Sequence, residues 1–248
     1  MNGLLALPEP YLVLGGMALI AAAIVLPVVI FARSLWQDRR TALVRFADRH
    51  GLAFHTEDHP WHEDWYTALD LLARERPREQ RNIMTGRWHG LDVAVLDYDY
   101  EPQQPDDDAR TAQRTVVIVY LPWSLPGVII EPNATNRFIR RRRGIQPRAY
   151  YMPDDTLEEV SSFERRYVLL AEDQAAAARL LHPDMETLLL EWWGLGVEVA
   201  GTAAVFFAYR LLRPSEIKAL LDFAVRFCEL IPDSMHIRPE HPLEPEAE

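Results

Sequence analysis

Four histidines, His50, His55, His59 and His62, fall within 13 residues of one another, with Asp58, Glu63 and Asp64 among them. Imidazole nitrogen and carboxylate oxygen together make a ligand set that zinc or iron accepts. The candidate ligands are His55, His59 and His62, and with a metal bound they would make this stretch the centre of a metal-dependent or hydrolytic enzyme. Their spacing argues the other way. The HExxH pattern, which sets two ligands one helical turn apart with a base between them, does not occur, and no pair falls on a clearly helical face. Because a metal site requires convergent geometry, the stretch reads first as a polar loop at the rim of a domain, and neither metal nor cofactor is expected.

A second group is cationic: Arg137, Arg140, Arg141, Arg142, Arg143 and Arg148 place six guanidinium groups within 12 residues. Beside an anionic lipid leaflet each contributes on the order of 1 kcal/mol to association. On an acidic protein the same charges also pair with the molecule's own surface carboxylates. Nucleic acid fits poorly, since stacking platforms for bases need interleaved aromatic residues and only Phe138 lies in this run.

The third group is His182 with Glu186 four residues on and Asp184 between them. That spacing permits a ligand pair or an acid–base pair on one helical face. A histidine followed by Pro-Asp at a helix junction reads more simply as a cap or connector. GxSxG, GxxxxGK[ST] and GxGxxG are all missing from the chain. Active sites assembled from distant residues leave no local pattern, so the residues lean away from an enzyme without excluding one.

The elements that must position these groups begin with residues 11–32, YLVLGGMALIAAAIVLPVVIFA, 22 residues without a charge. That is the length that crosses a bilayer core. A secretory signal would carry a basic segment ahead of the apolar run, whereas only Glu9 is charged before Tyr11. Pro27 predicts a kink, which spanning helices accommodate. Arg33, Arg39, Arg40, Arg45 and Arg49 all follow the span and none precedes it. Cations are retained on the cytoplasmic side, so residues 1–10 are expected outside and the remainder inside, in a bacterial inner membrane. Tyr11 and Trp36 suit the two aromatic belts. On the cytoplasmic side the sequon at Asn133 has no meaning.

The chain has 26 Lys and Arg against 37 Asp and Glu, and since only Glu9 precedes the span, the remainder carries an excess of ten acidic residues. No nucleic acid partner is expected from that balance. Cys228 is the sole cysteine, so no disulfide framework exists, and it is expected to pack as a small apolar residue.

Residues 35–50 predict a juxtamembrane helix stopped by Gly51. Residues 51–238 are expected to form one α+β domain. It starts with a short strand in LAFH, a loop over 58–65 and a modest helix over 66–76. Residues 81–100 predict a β-hairpin around His89-Gly90. Residues 114–121 and 127–131 predict two strands separated by a turn at Pro122 and Pro126, and residues 162–170 a half-buried strand. Asp173 is expected to cap QAAAARLL, and DMETLLLEWW to restart after Pro183. Residues 197–199 and 203–210 predict a second hairpin, and residues 215–230 an amphipathic helix burying Ile217, Leu220, Leu221, Ala224, Phe227 and Cys228. Strands and helices are segregated, which gives an antiparallel sheet with several packed helices. The acidic, proline-containing tail 239–248 has the composition of a disordered segment.

RN followed by a glycine pair and DYDY in residues 81–100, FERRY in 163–167, LHPDM in 181–185 and a closing helix that runs into Ile231-Pro232 resemble a family of uncharacterised single-span, membrane-anchored proteins of actinobacterial type. The resemblance covers roughly residues 51–237. It implies the anchored architecture and an inner-membrane location, and it brings no established activity. The function that follows is a membrane-tethered cytoplasmic domain acting as a protein-interaction or membrane-surface-binding module. Its partners would be the bilayer through the anchor, with anionic head groups or a membrane protein at the arginine run.

Overall fold

The computed structural model describes residues 25–26, 37–55, 69, 78–100, 112–132, 162–171 and 173–237. The chain divides into two units, Met1–Phe46 and Ala47–Glu248. Within the first, Val25 and Leu26 are helical and exposed, and the rest of the apolar stretch 11–32 lies outside the described residues. Among the described residues no helix is long and apolar enough to cross a membrane. The loop 58–65, the arginine run and the acidic tail 239–248 also lie outside them.

Residues 37–50 form helix α1. It ends where expected, with Gly51 at φ +70 and the Leu52 N–H returned to the Ala47 carbonyl at 2.9 Å. A left-handed residue just past a helix is accessible to glycine at little steric cost.

An antiparallel six-stranded sheet organises the second unit: β1 (Ala53–His55), β2 (Arg78–Trp88), β3 (Leu91–Tyr100), β4 (Ala112–Pro132), β5 (Tyr167–Ala171) and β6 (Leu195–Ala208). The order is β1-β2-β3-β4-β5, and β6 pairs with β4. Helices α2 (Ser162–Arg166), α3 (Gln174–Leu180), α4 (Pro183–Glu191) and α5 (Pro214–Glu229) complete it, with a 3-10 turn at Asp233–Met235. The α+β expectation therefore holds for the described residues.

The two sheet faces follow from strand alternation. Tyr98, Val116, Ile118, Val205 and Phe207 build one buried cluster, into which Leu69 also inserts. Leu69 is the one described residue of the expected helix 66–76, and it is not helical; its side chain is anchored on the sheet instead. On the other face Phe206 meets Phe223 and Phe227 of α5 edge-on, at 5.7 and 5.2 Å between ring centroids. Helix α5 buries all six residues expected of it, and Phe223 and Val225 besides.

Three expectations about strands are corrected. Pro122 and Pro126 do not turn the chain. Proline's fixed φ is compatible with extended backbone and removes only a ladder donor, so β4 continues through both and merely shifts register between Tyr120 and Val128. Likewise β6 is one strand and not a hairpin, since Gly201 at φ +57 absorbs an irregularity while both halves pair with β4. Finally, residues 162–166 are helical and the strand starts at Tyr167. Phe163 and Tyr167 are four apart, and their rings stack at 5.3 Å, a helical spacing that alternation had disguised.

Candidate functional site

The β2–β3 hairpin turns on His89 (φ 48) and Gly90 (φ 86), the pair of positive φ values a two-residue type I′ turn demands. That turn fixes register as far as Arg81↔Asp97, with a bulge between Arg81 and Met84 where Asn82 takes φ 52. The bulge aims the Asn82 amide inward, where Nδ2 donates to Asp97 Oδ2 at 2.9 Å. Thr115, facing Asp97 on β4, donates its hydroxyl to Oδ1 at 3.3 Å and accepts from the Leu212 N–H at 2.9 Å. Asp97 is thus a buried carboxylate held by donors from two neighbouring strands, as buried charge requires.

Two residues on, Asp99 shares its face. Gln113 Nε2 donates to Oδ2 at 3.4 Å, Arg81 stands 3.5 Å from the same oxygen, and Oδ1 is buried with no hydrogen-bond partner among the described residues. Burial pushes this carboxyl's pKa up, and Arg81 and Gln113 work against the rise. Arg81 also pairs with Glu79. The arrangement can hold a charge or a proton. Around it the described residues supply amide, hydroxyl and guanidinium groups, which are positioning chemistry.

A second polar cluster binds the hairpin tip to α5. Trp88 Nε1 donates to Asp222 Oδ1 at 2.9 Å, and Lys218 Nζ to Oδ2 at 2.6 Å. His89 Nε2 lies 3.6 Å from Oδ1, and the His50 ring sits 5.1 Å from that of Trp88. Burial opposes the Asp222 charge, but the hydrogen bonds from Lys218 and Trp88 outweigh it and hold the carboxyl below its ordinary range.

Of the residues singled out in sequence, His55 lies on β1 with Nε2 2.8 Å from the Thr85 hydroxyl. His59 and His62 lie outside the described residues, as do Arg137, Arg140, Arg141, Arg142, Arg143 and Arg148. Among the described residues no three of His, Cys, Asp and Glu come together as a metal set. His182 precedes α4 and donates Nε2–H to the Leu230 carbonyl at 2.9 Å, across 48 residues. It is the connector its Pro-Asp context implied, joining α4 to the end of α5. Glu186 reaches it through the backbone, its N–H donating to the His182 carbonyl at 3.0 Å; burial, with Glu164 adding, raises the Glu186 pKa. The Asp97 network was missed in the sequence. Its signal was there in DYD, two aspartates alternating inside an apolar strand.

No protein-family model and no curated protein matches the sequence. Among solved structures, the chain is similar to the crystal structure of the mycobacterial trehalose monomycolate transport factor A, TtfA. The TM-score is 0.52 at 12% sequence identity, covering 78% of this chain and 96% of that one. At that identity the likeness is one of fold alone.

Proposed function

We propose that this protein is a membrane-tethered accessory factor of the bacterial envelope. Its α+β domain works on the cytoplasmic side as a non-catalytic module that docks a membrane protein or the lipid surface. The observation that carries this reading is the likeness to a transport factor over 96% of that factor's length. The charge-free stretch 11–32 supplies the tether, and the cations that follow it supply the orientation. Arg137, Arg140, Arg141, Arg142, Arg143 and Arg148 are the contact with anionic head groups or an acidic partner. In keeping with a module that binds rather than reacts, the His55 and His182 rings are engaged with the Thr85 hydroxyl and the Leu230 carbonyl.

Expression of the full chain with a C-terminal reporter tests the reading. The expected result is that the protein requires detergent for extraction and that the reporter is active in the cytoplasm. A freely soluble chain, or a reporter active only outside, overturns it. So does stoichiometric zinc or iron that is lost on changing His55, His59 and His62 to Ala, which would establish the metal-enzyme alternative. Reversing Arg140 to Arg143 to Glu should abolish retention of a chain lacking residues 1–36 on anionic vesicles at low salt, and undiminished retention removes the lipid contact.

A further inference from the structure

Between Tyr120, its last residue paired with β3, and Val128, its first paired with β5, strand β4 carries the two prolines, the pairing of Leu125 with Gly201 of β6, and a single bridge to the C-terminal strap, residues 231–237. The Ser124 N–H donates to the Ile237 carbonyl at 2.7 Å, and the Ile237 N–H donates to the Ser124 carbonyl at 2.9 Å. This is the two-bond exchange of an antiparallel strand pair, one residue long. Beside it the rings of Trp123 and His236 stack at 4.0 Å and 20°.

The strap's seat is incomplete. Trp123 Nε1 and His236 Nε2 are both buried, and neither has a hydrogen-bond partner among the described residues. The other His236 nitrogen faces Asp233 Oδ1 at 3.5 Å. A buried ring nitrogen without a partner carries its full desolvation penalty, and a native structure rarely tolerates two side by side. Ile231 and Met235 hold the beginning of the strap in the core, whereas Ile237 is 56% exposed.

We propose that Trp123 and Ser124 form a receptor for an extended polypeptide segment of a partner protein, closed in cis by His236 and Ile237. The occupant's chemistry follows from the groups on offer. The Ser124 N–H and carbonyl require extended backbone, as in strand addition, and the indole N–H requires an acceptor, a backbone carbonyl or a side-chain amide or carboxylate. The molecule's own strap meets the first requirement and not the second. A partner segment meeting both displaces residues 236–237 while Ile231 and Met235 stay seated. The proposal deepens the interaction-module reading and rests on it only in taking the partner to be a protein.

Hydrogen exchange on the full chain in detergent tests the closure. The Ser124 and Ile237 amides should exchange at least about tenfold faster than the Val117 and Val205 amides of the sheet core. Trp123→Phe, which keeps an aromatic ring for stacking and removes the unpartnered N–H, should slow them. Equal protection in the parent chain, or no slowing in Trp123→Phe, overturns the proposal. The probe for the receptor is a synthetic peptide of residues 231–240 carrying His236→Asn, whose amide oxygen can accept from the indole. It should bind the Ile237→Pro chain, whose strap has lost its N–H donor, at least about tenfold more tightly than the parent. Equal affinity, or binding to neither, also overturns it. A chain that extracts without detergent yet gives these results loses the tethered-factor reading and keeps the receptor; the opposite pattern loses the receptor alone.

Discussion

Trp88 and Asp222, 134 residues apart in the chain, meet through a 2.9 Å hydrogen bond from the indole N–H to Oδ1. That contact fastens the tip of the β2–β3 hairpin to α5, and Lys218 shares the carboxylate from one helical turn away. A hydrogen bond to a charged group contributes about 1.5–3 kcal/mol, and truncating either partner also changes local packing. The coupling is best isolated by a double-mutant cycle. Trp88→Phe and Asp222→Ala should each destabilise the fold in urea denaturation and show a coupling energy of about 1 kcal/mol or more. Strict additivity would mean that the bond does not form in solution.

Gly196 is required for room and not for backbone freedom. A Cβ there would lie 2.1 Å from Phe207 Cζ, and the ring also approaches through Cε2 at 2.2 Å. Phe207 is fully buried and carries the Arg114 guanidinium 5.4 Å from its centroid, so it has little freedom to move aside. Overpacking of this kind costs about 3 kcal/mol. Gly196→Ala should therefore lower the urea midpoint markedly, and adding Phe207→Leu should restore part of the loss. If the double variant is no more stable than Gly196→Ala alone, the ring is not what the glycine accommodates.

Thr115 is a single hydroxyl serving two clients, the Asp97 carboxylate as donor and the Leu212 N–H as acceptor. Thr115→Val keeps the shape and removes both bonds inside a buried site. With the Leu212 N–H stripped of this acceptor and a weakened carboxylate left behind, a loss of about 2–4 kcal/mol is expected. Thr115→Ser, which keeps the hydroxyl, should cost less. A loss in Thr115→Val no larger than that in Thr115→Ser would mean that the hydroxyl's two bonds are not what the site depends on.

Glu216 makes stability depend on acidity. Its carboxylate takes two hydrogen bonds from Arg210, at 2.8 and 3.1 Å, and one from the Arg213 N–H at 2.8 Å. With Arg210 as the largest cause, its pKa falls from the ordinary 4.5 to about 2. A depressed folded-state value means that the folded state binds the proton less readily than the unfolded one. The contribution is therefore complete above about pH 4.5 and is lost as the pH falls toward 2. Glu216→Gln should flatten the melting temperature against pH across that window and leave the slope near neutrality unchanged. An unchanged acid limb in the variant would assign the loss to other carboxylates.

How far the sequence disclosed this molecule depended on the range of the interaction. Local chemistry was legible: Asp173 accepts from the Ala175 N–H at 2.8 Å as its cap, Pro183 opens α4, and His89-Gly90 turns the hairpin. Amphipathic α5 was legible because 16 residues repeat one face. Residues 197–210 were misread because a glycine-containing interruption looks the same in sequence whether the chain reverses or only bulges; the long partner β4 decides it. Of the candidate site, the hairpin register placed residue 97 near residue 82, but only the bulge at Asn82 turns an amide onto Asp97. Thr115 and Leu212 arrive from other elements, with nothing in the local sequence to announce them.

Cys228 gives the protein a built-in reporter of its own opening. The thiol is buried on α5, and burial, with Glu229 adding, pushes its pKa up to about 12. Since the thiolate is the nucleophile, both access and ionisation are withheld in the folded state. At pH 8 the native chain should resist a disulfide reagent that labels the denatured chain within seconds. Because α5 seals one face of the sheet, labelling should follow the opening of that layer and speed up in Gly196→Ala, which destabilises the sheet from the opposite face. A native thiol that reacts as fast as a free cysteine, with no response to Gly196→Ala, would show that α5 detaches without the sheet unfolding.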